Sequence, residues 1–189
     1  CMTMPQRCNK DAPADINVYS DGSWLHGAKP FLGLGGAGVW WPGRTLDKNK
    51  ATNDSTLKWH PLSYAEEDYA DYLEKERGIC LFAKIGGYSG SSTRNEIAAG
   101  IIALSSHGPI HIGSDSEVFV NGARDLVNII NKEKVPKIPW KLISDGDLWE
   151  HFYNALKIKT TRAFKIQWVK GHATDEHISK GITTNANKI

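Results

Sequence analysis

The chain has no run of about eighteen apolar residues, so nothing in it reads as a membrane-spanning helix. Its first ten residues have no apolar core flanked by basic residues, and no signal peptide is visible. Cysteine is scarce: Cys1, Cys8 and Cys80 are an odd number, contain no C-x-x-C pair and have no histidine at zinc-ligand spacing. A disulfide framework and a structural zinc site are both disfavoured, and a reducing, intracellular compartment (cytoplasm or nucleus) is the expectation. No internal repeat is present. Large charge imbalance is lacking too, since the formal net charge is only +2.

What remains is ordinary for a globular protein: 189 residues, 40% hydrophobic and 23% charged, enough for one domain with its own core. The charge is unevenly spread. From Lys132 onward basic residues outnumber acidic ones, whereas residues 64–76 hold six acids and one lysine. A polyanion would meet the C-terminal third first.

Residues 1–15 are polar with two prolines and read as a flexible leader; residues 16–189 read as the domain. Ile16 to Asp21 alternates with β-branched and aromatic residues, as a strand does. Residues 32–41 and 78–88 have the same character, and 44–77 separates them as an insertion in which 64–77 reads as a short acidic helix. From Thr93 the period becomes helical through Ile97, Ile101 and Leu104. A strand at 110–115, a helix at 117–132, a basic loop at 132–141, a helix at 147–157 and a last strand through Phe164, Ile166 and Trp168 follow. Three strands in succession, then strand–helix alternation, predict an α/β fold: a mixed sheet, antiparallel meander first and parallel strands after, flanked by helices. Trp149 and Trp168 fall at core positions of that pattern.

Four residues invite a chemical reading, and each also has an inert one. Asp21 precedes Gly22, as in many turns. Glu96 lies three residues after Thr93, as in a capping box. Asp115 ends a strand before a helix, where an aspartate N-cap is common. His172 stands in a loop. Together they differ: three carboxylates on neighbouring elements repel one another, and gathering them makes sense mainly if divalent cations hold them. Hard oxygen donors select Mg²⁺ or Mn²⁺ over zinc.

In five motifs the chain resembles the ribonuclease H family: Val18-Tyr19-Ser20-Asp21-Gly22-Ser23, Ser92-Thr93-Arg94-Asn95-Glu96-Ile97-Ala98-Ala99, Gly113-Ser114-Asp115-Ser116, Asp147-Leu148-Trp149 and Trp168-Val169-Lys170-Gly171-His172. The resemblance implies a five-stranded ribonuclease H-like sheet and metal-dependent endonucleolytic cleavage of the RNA strand of RNA–DNA hybrids. It implies that Asp21, Glu96 and Asp115 ligate Mg²⁺ (or Mn²⁺) for two-metal chemistry and that His172 relays a proton. Gly22, Ser23, Ser92, Thr93 and Asn95 would then contact the substrate backbone and the 2′-OH, while Lys134, Lys137 and Trp140 of the basic loop would grip the DNA strand. The long histidine loop is similar to those of ribonuclease H domains joined to retroelement reverse transcriptases, which implies a monomeric domain within a larger polypeptide.

One departure stands out. The family pattern places a fourth carboxylate at the start of a final helix, and the tail 183–189 stops short of it. With Cys1 in place of a starting Met, the chain reads as a fragment without that helix. A catalytically weak or inactive binding module is therefore the second reading. A strand-transfer enzyme of the same broad fold is the third, disfavoured by its different carboxylate spacing.

Overall fold

The computed structural model describes residues 4–25, 34–46, 58–59, 61–67, 70–73, 78–85 and 91–171. Its strands are β1 Val18–Leu25, β2 Leu34–Pro42, β3 Arg44–Thr45, β4 Lys58–Trp59, β5 Ala70–Leu73, β6 Gly78–Ile85, β7 Ile110–Ser114 and β8 Phe164–Trp168. The helices are α1 Ser92–Leu104, α2 Glu117–Asn131 and α3 Gly146–Lys159. The expected five-stranded mixed sheet is present as β6-β2-β1-β7-β8, and the short β5 extends it by one strand beyond β6. Antiparallel pairing joins β1 to β2 and β2 to β6, while β7 runs parallel to both β1 and β8. Meander first and parallel strands second is the order read from the sequence.

The helix α1 is the central packing element. Ten of its thirteen residues, Asn95 to Leu104, are buried, so it shows no clean polar face, as befits a helix enclosed between sheet and neighbours. By contrast α2 is amphipathic and buries Phe119, Val120, Ala123 and Leu126. Trp149, Phe152, Tyr153 and Leu156 of α3 complete that side of the core. Phe152 meets Phe119, Trp149 and Phe164 edge-on, with ring centroids 5.6–5.9 Å apart. Fully burying a side chain such as Phe119 or Phe152 contributes about 1.5–3 kcal/mol, so this cluster is a main anchor of α2 and α3 on the sheet.

Three expectations are corrected. The acidic helix over 64–77 is absent where the chain is described: 64–67 forms a turn and Ala70–Leu73 is a strand paired with β6. Long-range pairing with a free sheet edge overrides a weak local helical pattern. The turn is pinned from inside, because Arg44 donates to both oxygens of buried Glu66 at 2.7 and 3.0 Å and lies over the Trp41 ring. The described part of the leader is not loose. Cys8 and Ala12 are buried, their N–H groups donate to the carbonyls of Lys159 and Arg162, and the Thr160 hydroxyl donates to the Cys8 carbonyl. Finally, Trp168 is 45% exposed rather than in the core, because it ends β8 where the sheet opens to solvent. Trp149 is buried as expected. Residues 172–189 lie outside the described residues.

Candidate metal centre

Asp21 is not in a turn. It pairs with Gly38 in the middle of the β1–β2 ladder. The β1–β7 register places Ser20 opposite Ser114, so Asp21 on β1 and Asp115, the first residue past the end of β7, each follow one position later. Nor does Asp115 cap α2; Ser116 does, its hydroxyl accepting from the Phe119 N–H at 3.3 Å. Glu96 is no capping-box partner either. The cap of α1 is Ser91, whose hydroxyl accepts from the Arg94 N–H at 2.9 Å, which sets Glu96 beyond the first turn. Each inert explanation open to the three carboxylates is removed by the local geometry.

What the structure does instead is gather them. Asp21, Glu96 and Asp115 each offer a carboxylate oxygen, and these atoms lie within 4.8 Å of one another. Gly22 makes this possible, because a Cβ there would run into the backbone of Asn95 and Glu96. Only glycine lets α1 lie so close on β1. Asp21 is exposed, whereas Glu96 is only 6% exposed. Burial, followed by the charges of Asp21 and Asp115, pushes the Glu96 carboxyl up to about 8, against the opposing pull of the Gly22 N–H. The Oε2 atom of Glu96 is buried without a hydrogen-bond partner. A buried carboxylate oxygen so placed costs roughly 1–3 kcal/mol or more unless something compensates it. A divalent cation among three hard oxygen donors is the group that fits both the donor set and the orphaned oxygen.

The other expected site residues divide. Ser23 and Ser92 are exposed and Thr93 is half-buried. Lys134 and Lys137 are exposed. Asn95 does not reach the surface: it is fully buried and its Nδ2 donates to the Ser23 carbonyl, so it braces β1 against α1. Gly22 likewise faces α1 and serves close packing. Trp140 packs its ring against Tyr153 with centroids 5.5 Å apart, so most of it is held by the domain. His172 lies outside the described residues.

Other contributors went unnoticed in the sequence. Arg94 binds both oxygens of Asp147 at 2.8 and 2.6 Å and reaches Asp145, tying the start of α1 to the start of α3. Asp145 sits at φ 54°, in the left-handed region, and also accepts from the Ser91 hydroxyl at 3.3 Å. Trp168 Nε1 donates to the Asp115 carbonyl at 3.0 Å, and Gly171 lies against the Asp115 carboxylate. Arg94, Asp147, Trp168 and Gly171 all fall inside the five motifs, but the motifs carry no sign of which partner each one meets, and Asp145 lies outside them.

No curated protein matches the chain. Among solved structures it is similar to the PFV RNase H domain in solution, with 17% identity, TM-score 0.50, and 90% of this chain and 92% of that one covered. It is also similar to LC9-RNase H1, a type 1 RNase H with the type 2 active-site motif (17% identity, TM-score 0.48, 93% and 78% covered). A third is the foamy viral protease-reverse transcriptase in complex with dsDNA (13%, 0.49, 90% and 87%). At such identities the first of these likenesses speaks for the fold alone. The RNase H family model matches residues 73–187, more than half of the chain, and takes in Glu96 and Asp115. Asp21 precedes that match and joins the site through the sheet register. With a match of that extent, the chain belongs to the ribonuclease H family.

Proposed function

We propose that this protein hydrolyses the RNA strand of RNA–DNA hybrids, with Asp21, Glu96 and Asp115 holding the Mg²⁺ ions that the reaction needs. The observation that carries the reading is the convergence of three carboxylates around a buried, unpartnered Glu96 oxygen. When bound there, such ions activate the attacking water and steady the leaving oxygen of the phosphodiester. Mn²⁺ satisfies the same donor chemistry.

The chain's own groups do the rest. Gly22 holds Glu96 beside Asp21 and orients its carboxylate through an N–H. Asp21, exposed on β1, faces the incoming phosphate. Ser23, Ser92 and Thr93 offer hydroxyls at the rim, suited to phosphate and 2′-OH contacts, and the 2′-OH is what distinguishes an RNA strand. Lys134 and Lys137 supply salt-sensitive attraction for the second strand's phosphates. His172, following the described segment, takes the proton-relay role, for which an imidazole is suited near neutral pH. The parent is a larger reverse-transcriptase-type polypeptide in which this segment acts as a monomeric nuclease domain.

The test is cleavage of an end-labelled RNA–DNA hybrid with and without Mg²⁺, beside double-stranded DNA and double-stranded RNA of the same sequence. Mg²⁺-dependent cuts confined to the RNA of the hybrid, lost by at least ~100-fold in Asp21→Asn, are expected; removal of a charge-stabilising group commonly costs that much. Hybrid binding with no cutting at any Mg²⁺ concentration would instead establish a non-catalytic binding module. Equal cutting by Asp21→Asn would refute the ligand assignment.

A further inference from the structure

We infer that the turn leaving β8 is built to aim the Asp115 carboxylate, with Trp168 as a positioning residue and Gly171 as the space that the carboxylate occupies. The inference rests on the metal-holding role given to Asp115 above.

Three contacts converge on one short stretch. Trp168 stands opposite Ser114 at the end of the β7–β8 ladder. Just past it, the Val169 N–H donates to the Ser114 carbonyl at 2.9 Å, prolonging the pairing to the residue before Asp115. The Trp168 indole N–H donates to the carbonyl of Asp115 itself at 3.0 Å. Two successive carbonyls are thus held from the same turn, which fixes the peptide planes on both sides of the Asp115 Cα and so the direction of its Cβ. The far end of the side chain is governed by Gly171, where a Cβ would collide with Oδ2 of Asp115 and crowd its Cγ and Cβ. One residue directs the aspartate through its backbone and the other leaves room for its oxygen.

The indole is not there because it must be hidden. Trp168 is 45% exposed, so burial does not explain the choice of residue. A ligand carboxylate held in advance has less to reorganise on meeting a cation. Groups of this supporting kind commonly change metal affinity or activity by 10–100-fold.

Trp168→Phe keeps an aromatic ring, though a smaller one, and deletes the donor. Mn²⁺ affinity, read from the free-ion spin-resonance signal in a titration of the full chain, is expected to fall on the order of 10-fold. The kcat for hybrid cleavage should drop while KM for the hybrid and the melting temperature stay near those of the native protein. Gly171→Ala, which intrudes on the carboxylate directly, should weaken Mn²⁺ binding at least as much. A Trp168→Phe protein with native Mn²⁺ affinity overturns the inference; so does a loss of affinity matched by a loss of melting temperature, if Gly171→Ala binds Mn²⁺ normally. Native protein that takes up Mn²⁺ but leaves hybrids intact would overturn the cleavage reading and leave the aiming role to be decided by the affinities. Native protein that takes up no Mn²⁺ overturns both.

Discussion

Single residues carry the sharpest contrasts in this protein. Glu96 has a folded-state pKa of about 8 against an ordinary value of 4.5, so the stability it contributes is full below about pH 4.5 and is lost as pH rises through 8. In chelator at pH 8.5, Glu96→Gln should therefore melt several degrees above the native protein, at about 2–4 °C per kcal/mol. Added Mg²⁺ should raise the melting temperature of the native protein and not of the variant, as scanning calorimetry would show. Lys159 behaves oppositely. It is fully buried, its ammonium donates to the carbonyls of Leu104 and Ser106, and burial pulls its pKa down from 10.5 to about 8. The unfolded chain then binds more protons between those values, so this lysine makes stability rise with pH from about 8 to 10.5. Urea unfolding at pH 7.5 and 9.5 should show a gain on the order of 2 kcal/mol from this source, absent in Lys159→Met.

At the level of elements, the decisive contact is α1 on β1. Gly22→Ala must push α1 off β1, because the obstruction is backbone rather than a flexible side chain. A cost of about 1–3 kcal/mol is expected, together with loss of hybrid cleavage. Gly38→Ala on the adjoining strand is the matched control, since its nearest neighbour would be the Asp21 carbonyl at 3.8 Å. Unfolding midpoints of the two variants separate close packing from a general intolerance of alanine in the sheet. Most of these elements were legible in the sequence because their periods are strong: Ile97, Ala98, Ile101 and Leu104 mark α1, and Phe164 and Ile166 mark the buried face of β8. The strand β5 was not, because four residues with two acids close by resemble a helix until an edge is offered to them. Trp168 was misjudged because alternation identifies a face of a strand but not where the layer covering that face ends.

Over the whole molecule, the described part of the leader is packed against the domain through Cys8 and Ala12. Deleting residues 1–13 removes the buried Cys8 and Ala12, two backbone hydrogen bonds, the Thr160 contact and the Pro13 carbonyl that meets His111. A loss on the order of 2 kcal/mol, or roughly 4–8 °C, is expected from thermal unfolding, with Mn²⁺ affinity unchanged. Nothing in residues 4–15 has the alternation of a strand or the period of a helix, so only contacts made from distant parts of the chain could have shown where they lie. The candidate site divides similarly. Its three carboxylates were legible as residue types in motifs, whereas the braces around them, Gly22, Asn95, Arg94 and Trp168, reveal their tasks only in three dimensions.

The pairing of Ser20 with Ser114 has a kinetic corollary. A slip of one residue between those strands would turn every side chain of β7 to the opposite face and part Asp115 from Asp21. Ion capture by all three carboxylates therefore cannot precede the docking of β7 beside β1, a pairing between segments far apart in the chain. Uptake of a cation during refolding would serve as a clock for that docking, starting only when the two halves of the sheet have found their register.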